Sequence, residues 1–178
     1  MRSTFFLDEY ELSKEYALLV LENPSLTETI ISEANYALGL SCFHLGNYEE
    51  AMVPLEWLVE NMTTFMGSEA QFTLAQIHFN KEDLSAAKGE IDQLLKMKPS
   101  YDFWIAKGLI LKSRILIKEG DLFQSEQNLK AVIEHYPSSD DGILEEANIL
   151  WDEIMILKNP TIEESEDDNE TKIEIDED

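Results

Sequence analysis

The chain has 178 residues, 44% of them hydrophobic, enough for one continuous core in a single domain or a single repeat array. Its 13 Lys and Arg against 37 Asp and Glu leave a formal net charge of −24, a field that opposes phosphate backbones and anionic lipid surfaces and weighs against nucleic-acid and membrane binding. The lone Cys42 excludes an internal disulfide framework, no apolar run approaches the ~20 residues of a membrane span, and the start MRSTFFLDEYE lacks the apolar region of a secretory signal. The expectation is a soluble chain, with cytoplasm and periplasm both open.

In chain order, residues 7–22 read as a leading helix. Leu12, Tyr16 and Leu19 recur at helical spacing, and Asn23-Pro24 ends the run. It has the look of the second helix of a hairpin whose first helix is missing, preceded only by a short stretch with Phe5 and Phe6. Two origins stay open: the end of a longer array, or a short protein whose N-terminal helix caps itself or forms a homodimer through that face. The next stretch, Glu33 to Leu58 (EANYALGLSCFHLGNYEEAMVPLEWL), is a complete hairpin, with Thr27 or Ser32 offering an N-cap hydroxyl. Leu38, Gly39 and Cys42 share a face of its first helix, Gly46-Asn47 breaks it, and Tyr48, Ala51, Leu55 and Leu58 rebuild an apolar face. Gly39 and Ala51 are small where the two helices must approach.

The hairpin recurs. After a loop carrying Thr63, Thr64 and Gly67, Ser68 to Pro99 places Ala75, Leu84 and Ala87 where the first unit has Gly39, Tyr48 and Ala51. Ala106 to Pro137 repeats it with Ser113, the Gly120-Asp121 turn and Ser125. A last helix, 143–157, shows an apolar face of Leu144, Ala147, Leu150, Trp151 and Ile154, and reads as a cap closing the stack. Residues 160–178 hold ten acids and one lysine, a composition for a disordered acidic tail, whether a solubility segment or an interaction segment.

This pattern, with repeats at about 32–63, 68–99 and 106–137, resembles the tetratricopeptide repeat family. Cys42 replaces the usual aromatic, and Thr63 stands where a closing proline is usual. The stretches YDFWIAK, KEGD, HYP and DGILEEA look like the closing repeat of long bacterial tetratricopeptide proteins. The resemblance implies an all-α, right-handed α-solenoid of antiparallel helix hairpins over residues 1–159. It also implies a non-catalytic protein-interaction scaffold that holds a peptide or protein segment in a concave groove lined by the first helices. The family's groove positions fall on Tyr36 and Phe43 in the first repeat, Phe72, Gln76 and Phe79 in the second, and Lys107, Arg114 and Lys118 in the third. The chaperone-tail clamp of some family members needs a lysine and an asparagine where this chain has Tyr36 and Leu40, so that ligand is not expected.

Charge along the chain agrees with a groove that is aromatic first and basic later. Up to Asn80 there are two basic residues against twelve acids, and from Lys81 to Lys130 nine against eight. Catalysis has no support: His44, His78 and His135 fall in three different hairpins, with no nucleophile, base and orienter in mutual reach. Cys42 reads as a small buried hydrophobe, the acidic runs lack the spacing of a calcium loop, and no metal or other cofactor is implied. A different class of reading is a regulatory or sensory segment of a longer multidomain protein.

Overall fold

The computed structural model describes residues 9–138 and 140–159. The expectations for Phe5, Phe6 and Leu7 and for the tail at 160–178 lie outside them. Among the described residues eight α-helices follow one another: α1 Tyr10–Leu21, α2 Glu28–His44, α3 Tyr48–Asn61, α4 Phe65–Asn80, α5 Leu84–Leu94, α6 Asp102–Glu119, α7 Leu122–His135 and α8 Ile143–Lys158. Each packs on the next, so the fold is the all-α array of adjacent helix pairs that the repeats predict.

Three reversals build it by the same chemistry. At Gly46, Glu82 and Gly120 the backbone turns left-handed, with φ of 77°, 61° and 81°. At each, the next N–H reaches back into the last turn of the finished helix: Asn47 to the Cys42 carbonyl at 2.8 Å, Asp83 to His78 at 3.0 Å and Asp121 to Leu116 at 2.9 Å. The left-handed residues themselves donate to Phe43, Phe79 and Ile117, each at 3.0 Å. These paired bonds satisfy carbonyls that a helix end otherwise leaves open. The residue that closes one helix also opens the next: the carboxylates of Asp83 and Asp121 accept from the Ala86 and Gln124 N–H groups at 3.0 Å each.

The two helices of each hairpin meet at small residues. Gly39, Ala75 and Ser113 on first helices and Ala51, Ala87 and Ser125 on second helices are all buried. A Cβ on Gly39 would lie 2.8 Å from Leu55 Cδ2, so that glycine sets how near α2 and α3 come. The third hairpin uses serines, whose hydroxyls are satisfied by backbone: Ser125 Oγ donates to the Ser113 carbonyl at 3.0 Å and Ser113 Oγ to Leu109 at 2.9 Å.

Curvature follows from which helices touch. The backbones of the first helices α2, α4 and α6, with α8 after them, approach one another side by side, whereas those of α1, α3, α5 and α7 stay apart, α1 and α3 being bridged only by the long side chains of Lys14 and Glu50 at 2.7 Å. A row of pairs held close on one side and apart on the other curves toward the close side, which makes the α2, α4, α6, α8 surface the concave one. Buried residues form three clusters in chain order, each joining a hairpin to the helix that follows it. Leu55, Leu58 and Ile77 mark the first, Ile91, Leu94 and Ile115 the second, and Leu129, Val132 and Ile154 the third.

Several local expectations need correction. Leu12, Tyr16 and Leu19 are not the buried face of α1: Tyr16 and Leu19 are exposed, and Ser13 and Ala17 face α2 instead. The reason is again close approach, since the small side chains admit the neighbouring helix and the large ones are turned out. Thr27 holds the N-cap position of α2 without its side chain accepting a cap bond, while Ser32 lies inside the helix and donates to the Thr29 carbonyl at 2.9 Å. The stretch read as loop to Gly67 is already helix from Phe65. On α8, Ile143, Ala147, Leu150 and Ile154 are buried, while Ile149, Ile156 and Leu157 face outward.

Gly67 is held by geometry that its reading as a loop residue does not show. A Cβ there would sit 2.0 Å from the Met62 carbonyl oxygen, a backbone atom with no rotamer by which to move aside. Gly67→Ala is therefore expected to cost more than Gly39→Ala, where the obstacle is a leucine side chain. We expect the upper end of about 1–3 kcal/mol for the first and the lower end for the second, read from urea unfolding. Equal midpoints for the two variants would rule out the carbonyl contact. Glu82 occupies the left-handed position that the other two turns give to glycine, so Glu82→Gly should stabilise the chain by about 1 kcal/mol; a lower midpoint would contradict the strain.

Candidate functional site

The concave surface divides into three stretches of different chemistry. At the N-terminal end, the first half of α2 and the start of α4 enclose an open cavity of about 630 Å³. It is lined by Ala37 and the ring of Tyr36 from α2, by Met62 and Thr64 ahead of α4, and by Phe65 and Met66 on it. Glu28, Thr29, Ser32 and Glu33 complete the wall. The volume lies within the ~300–1,000 Å³ of ordinary ligand pockets, and two methionines give the wall adaptable sides.

Tyr36 spans the cavity edge, its hydroxyl donating to Glu69 Oε2 on α4 at 2.7 Å. Burial raises the Glu69 pKa above the ordinary range, and the tyrosine hydrogen bond partly opposes that by favouring the carboxylate. Phe65 connects the cavity to α6 through an aromatic cluster, its ring centre 5.2 Å from Trp104 and 5.7 Å from Tyr101.

The middle stretch is largely filled by the protein itself. Phe72 is buried between α4 and α6, its ring 5.4 Å from Trp104. Gln76 is half-buried, and Phe79 lies under the Lys118 ammonium, 4.8 Å from the ring centre. Phe43 is half-buried toward the other end of α2, at 5.3 Å from His44 and 6.0 Å from Tyr48.

At the C-terminal end α8 closes the row. Its Glu146 accepts from both Lys107 at 2.8 Å and Arg114 at 2.7 Å, so one carboxylate from the last helix sits between the two cations of α6. Of the eight groove residues taken from the sequence, the structure therefore gathers Lys107 with Arg114 and Phe79 with Lys118. It sends Phe72 into the core and leaves Tyr36 at the open cavity. Sequence reasoning does not reach Glu146, nor Met62, Phe65 and Met66, which lie in and beside a stretch whose composition resembles a loop. One signal was present: polar partners recur one repeat apart, as in Tyr36–Glu69, Arg114–Glu146, Lys88–Glu119 and Lys81–Glu49, separated by 31–33 residues.

Other candidate chemistry is dispersed. His44 stacks on Tyr10 at 4.6 Å, far along the chain from His78 and His135. Burial pushes the Cys42 thiol pKa up, against the pull of Lys14, which the fold brings near despite its distance in sequence. A thiol so placed stays protonated and unreactive. Among the described residues no group of three His, Cys, Asp or Glu could hold a metal ion, and no helix is long and apolar enough to cross a membrane.

Glu69 yields a pH test. An acid whose folded pKa is raised contributes stability that is complete below its unfolded value, about 4.3, and lost as pH rises through the folded value. Glu69→Gln keeps a carbonyl to accept the Tyr36 hydroxyl and does not titrate. The variant should therefore gain on the parent as pH rises from about 4 to 7. Urea midpoints at several pH values measure this, and a difference independent of pH would show that the carboxylate is not held up.

Among known proteins, the family model described as tetratricopeptide repeat matches residues 32–53, from inside α2 into α3. No curated protein and no solved structure matches the chain. The match falls on the hairpin that carries the Gly39 close approach and the Gly46 turn, and tetratricopeptide repeats are typically non-catalytic modules for protein–protein interaction.

Proposed function

We propose that this protein is a non-catalytic scaffold that holds a peptide or protein segment on the concave surface of α2, α4 and α6. The observation that carries this reading is the cavity between α2 and α4: about 630 Å³, open to solvent and walled by Tyr36, Ala37, Met62, Phe65 and Met66. An apolar recess on the inner side of a helical array suits a side chain of an incoming segment, with the half-buried Gln76 and Phe79 further along the same face. The cations Lys107 and Arg114 enter only if a ligand carboxylate displaces Glu146, so the α2–α4 end is the primary contact and the α6–α8 end a secondary one.

Thr29 lines the cavity from an exposed position, and only its backbone carbonyl serves the fold, as acceptor for Ser32. Thr29→Trp should fill the recess with little change in stability. Peptides selected from a random displayed library on the parent chain should bind the variant at least about tenfold more weakly, a difference of about 1.4 kcal/mol. Equal affinity for parent and folded variant, measured by fluorescence anisotropy, would move the binding surface elsewhere.

A further inference from the structure

Helix α8 repeats the buried side of the first helix before it. Its Ala147, Leu150 and Ile154 join the cluster of Leu129 and Val132 on α7, as Leu111 and Ile115 of α6 join that of Ile91 and Leu94 on α5. In that register Ile149, Asp152 and Ile156 take the places of Ile110, Ser113 and Ile117. On α6 those three lie against the second helix of the hairpin: Ser113 exchanges hydrogen bonds with Ser125 of α7, and Ile110 and Ile117 join Leu129 and Val132. On α8 the same side is bare. Ile149 is 63% and Ile156 70% exposed, and among the described residues α8 packs on α6 and α7 alone.

The groove beside this face repeats the pattern. Between α7 and α8 an open groove of about 470 Å³ is lined by Lys130, Ile133, Glu134, Asn148 and Trp151. Two repeats earlier the same positions, Glu56, Val59, Glu60, Gln71 and Leu74, border a cleft of about 210 Å³, and Glu90 and Gln93 of α5 supply its third wall. A helix lying on α8 as α5 lies on α4 would close the larger groove in the same way. We infer that α8 is the docking face for an amphipathic helix of a partner protein, with Lys or Arg at the centre of its apolar stripe, which completes a fourth hairpin in trans. This surface is independent of the α2–α4 recess.

Charge selects that occupant. Of the carboxylates on α8, Glu146 is held by Lys107 and Arg114, whereas Glu145, Asp152 and Glu153 are exposed and form no salt bridge among the described residues. The one cation of the helix, Lys158, is paired with Glu126. Residues 160–178, with ten acids and one lysine, would bring like charge to this face, and so would a second copy of a chain whose net charge is −24. Asp152 also stands where the other first helices carry the small Gly39, Ala75 and Ser113. A carboxylate in that place suits a cation on the arriving helix rather than the alanine or serine of the internal second helices. Exposed ion pairs are weak, so the apolar stripe supplies affinity and the cation sets which helix is accepted.

Three fluorescein-labelled peptides test this on the full chain by anisotropy: SALQAKQAAIQALKAG, in which Leu, Lys, Ile and Leu share one face; SALQAEQAAIQALEAG, with the charges reversed; and SAAQAKQAAAQAAKAG, without the stripe. The first should bind at least about tenfold tighter than either of the others. It should weaken at least about tenfold in an Ile149→Gln, Ile156→Gln double variant, whose exposed positions leave the core intact. Asp152→Lys should cut the preference for the first peptide over the second by a similar factor, and Thr29→Trp should bind the first peptide as the parent does. Loss of binding in Thr29→Trp would place the peptide in the α2–α4 recess and overturn the assignment to α8. Equal binding of the third peptide, an unchanged preference in Asp152→Lys, or no measurable binding of the first would each overturn the inference as well. So would binding seen only after deletion of residues 160–178, or self-association of the parent that the double variant abolishes, since these would give the face to the chain's own tail or to a second copy.

Discussion

The structure depends on a helix reversing its direction through a single left-handed residue. When Gly46, Glu82 or Gly120 turns, the following residue both finishes the hydrogen bonding of the first helix and begins the second. No loop intervenes in which the second helix could swing, so its approach is fixed and contact between the two helices begins within a turn. That closeness demands small residues opposite one another, and Gly39, Ala75 and Ser113 facing Ala51, Ala87 and Ser125 meet the demand. The same local chemistry, applied three times, yields three equivalent hairpins without long-range pairing.

Curvature and recognition derive from how these hairpins stack. First helices approach their counterparts backbone to backbone and second helices do not, so the connections from α3 to α4, α5 to α6 and α7 to α8 must carry each new hairpin inward. The first of these passes through Gly67, whose missing side chain lets the start of α4 sit against the Met62 carbonyl. The same passage places Met62, Phe65 and Met66 around the cavity. A constraint on backbone packing thus becomes the wall of the recess.

Much of the fold was legible because hairpin repeats announce themselves through short-range features. Small residues at the crossing and glycine at the turn are spaced by the length of the unit, and burial followed them closely. The middle turn was harder to read, since Glu82 adopts a conformation that its side chain does not advertise. Helix α1 misled for a related reason: hydrophobic spacing alone favours Leu12, Tyr16 and Leu19, but contact with α2 selected Ser13 and Ala17 for their size. The candidate site was less legible. Tyr36 was found from its repeat position, whereas Phe72 at the analogous position met Trp104 and was taken into the core. A repeat position specifies which way a side chain points, not what the neighbouring helix has already placed there.

Charge shows why a tally along the sequence differs from the potential at a surface. The middle of the chain is nearly neutral by count, yet four of its nine cations are committed between helices: Lys88 to Glu119, Lys112 to Asp92, and Lys107 and Arg114 to Glu146. Each such pair is partly exposed and worth little alone, on the order of 0–1 kcal/mol. Their joint effect on the surface is larger, because every lysine used as a link between helices is removed from the field that a ligand meets. The excess of acids over bases is then carried by the rest of the surface. A chain with few cations that uses them as cross-links is in this sense left with a field dominated by its carboxylates.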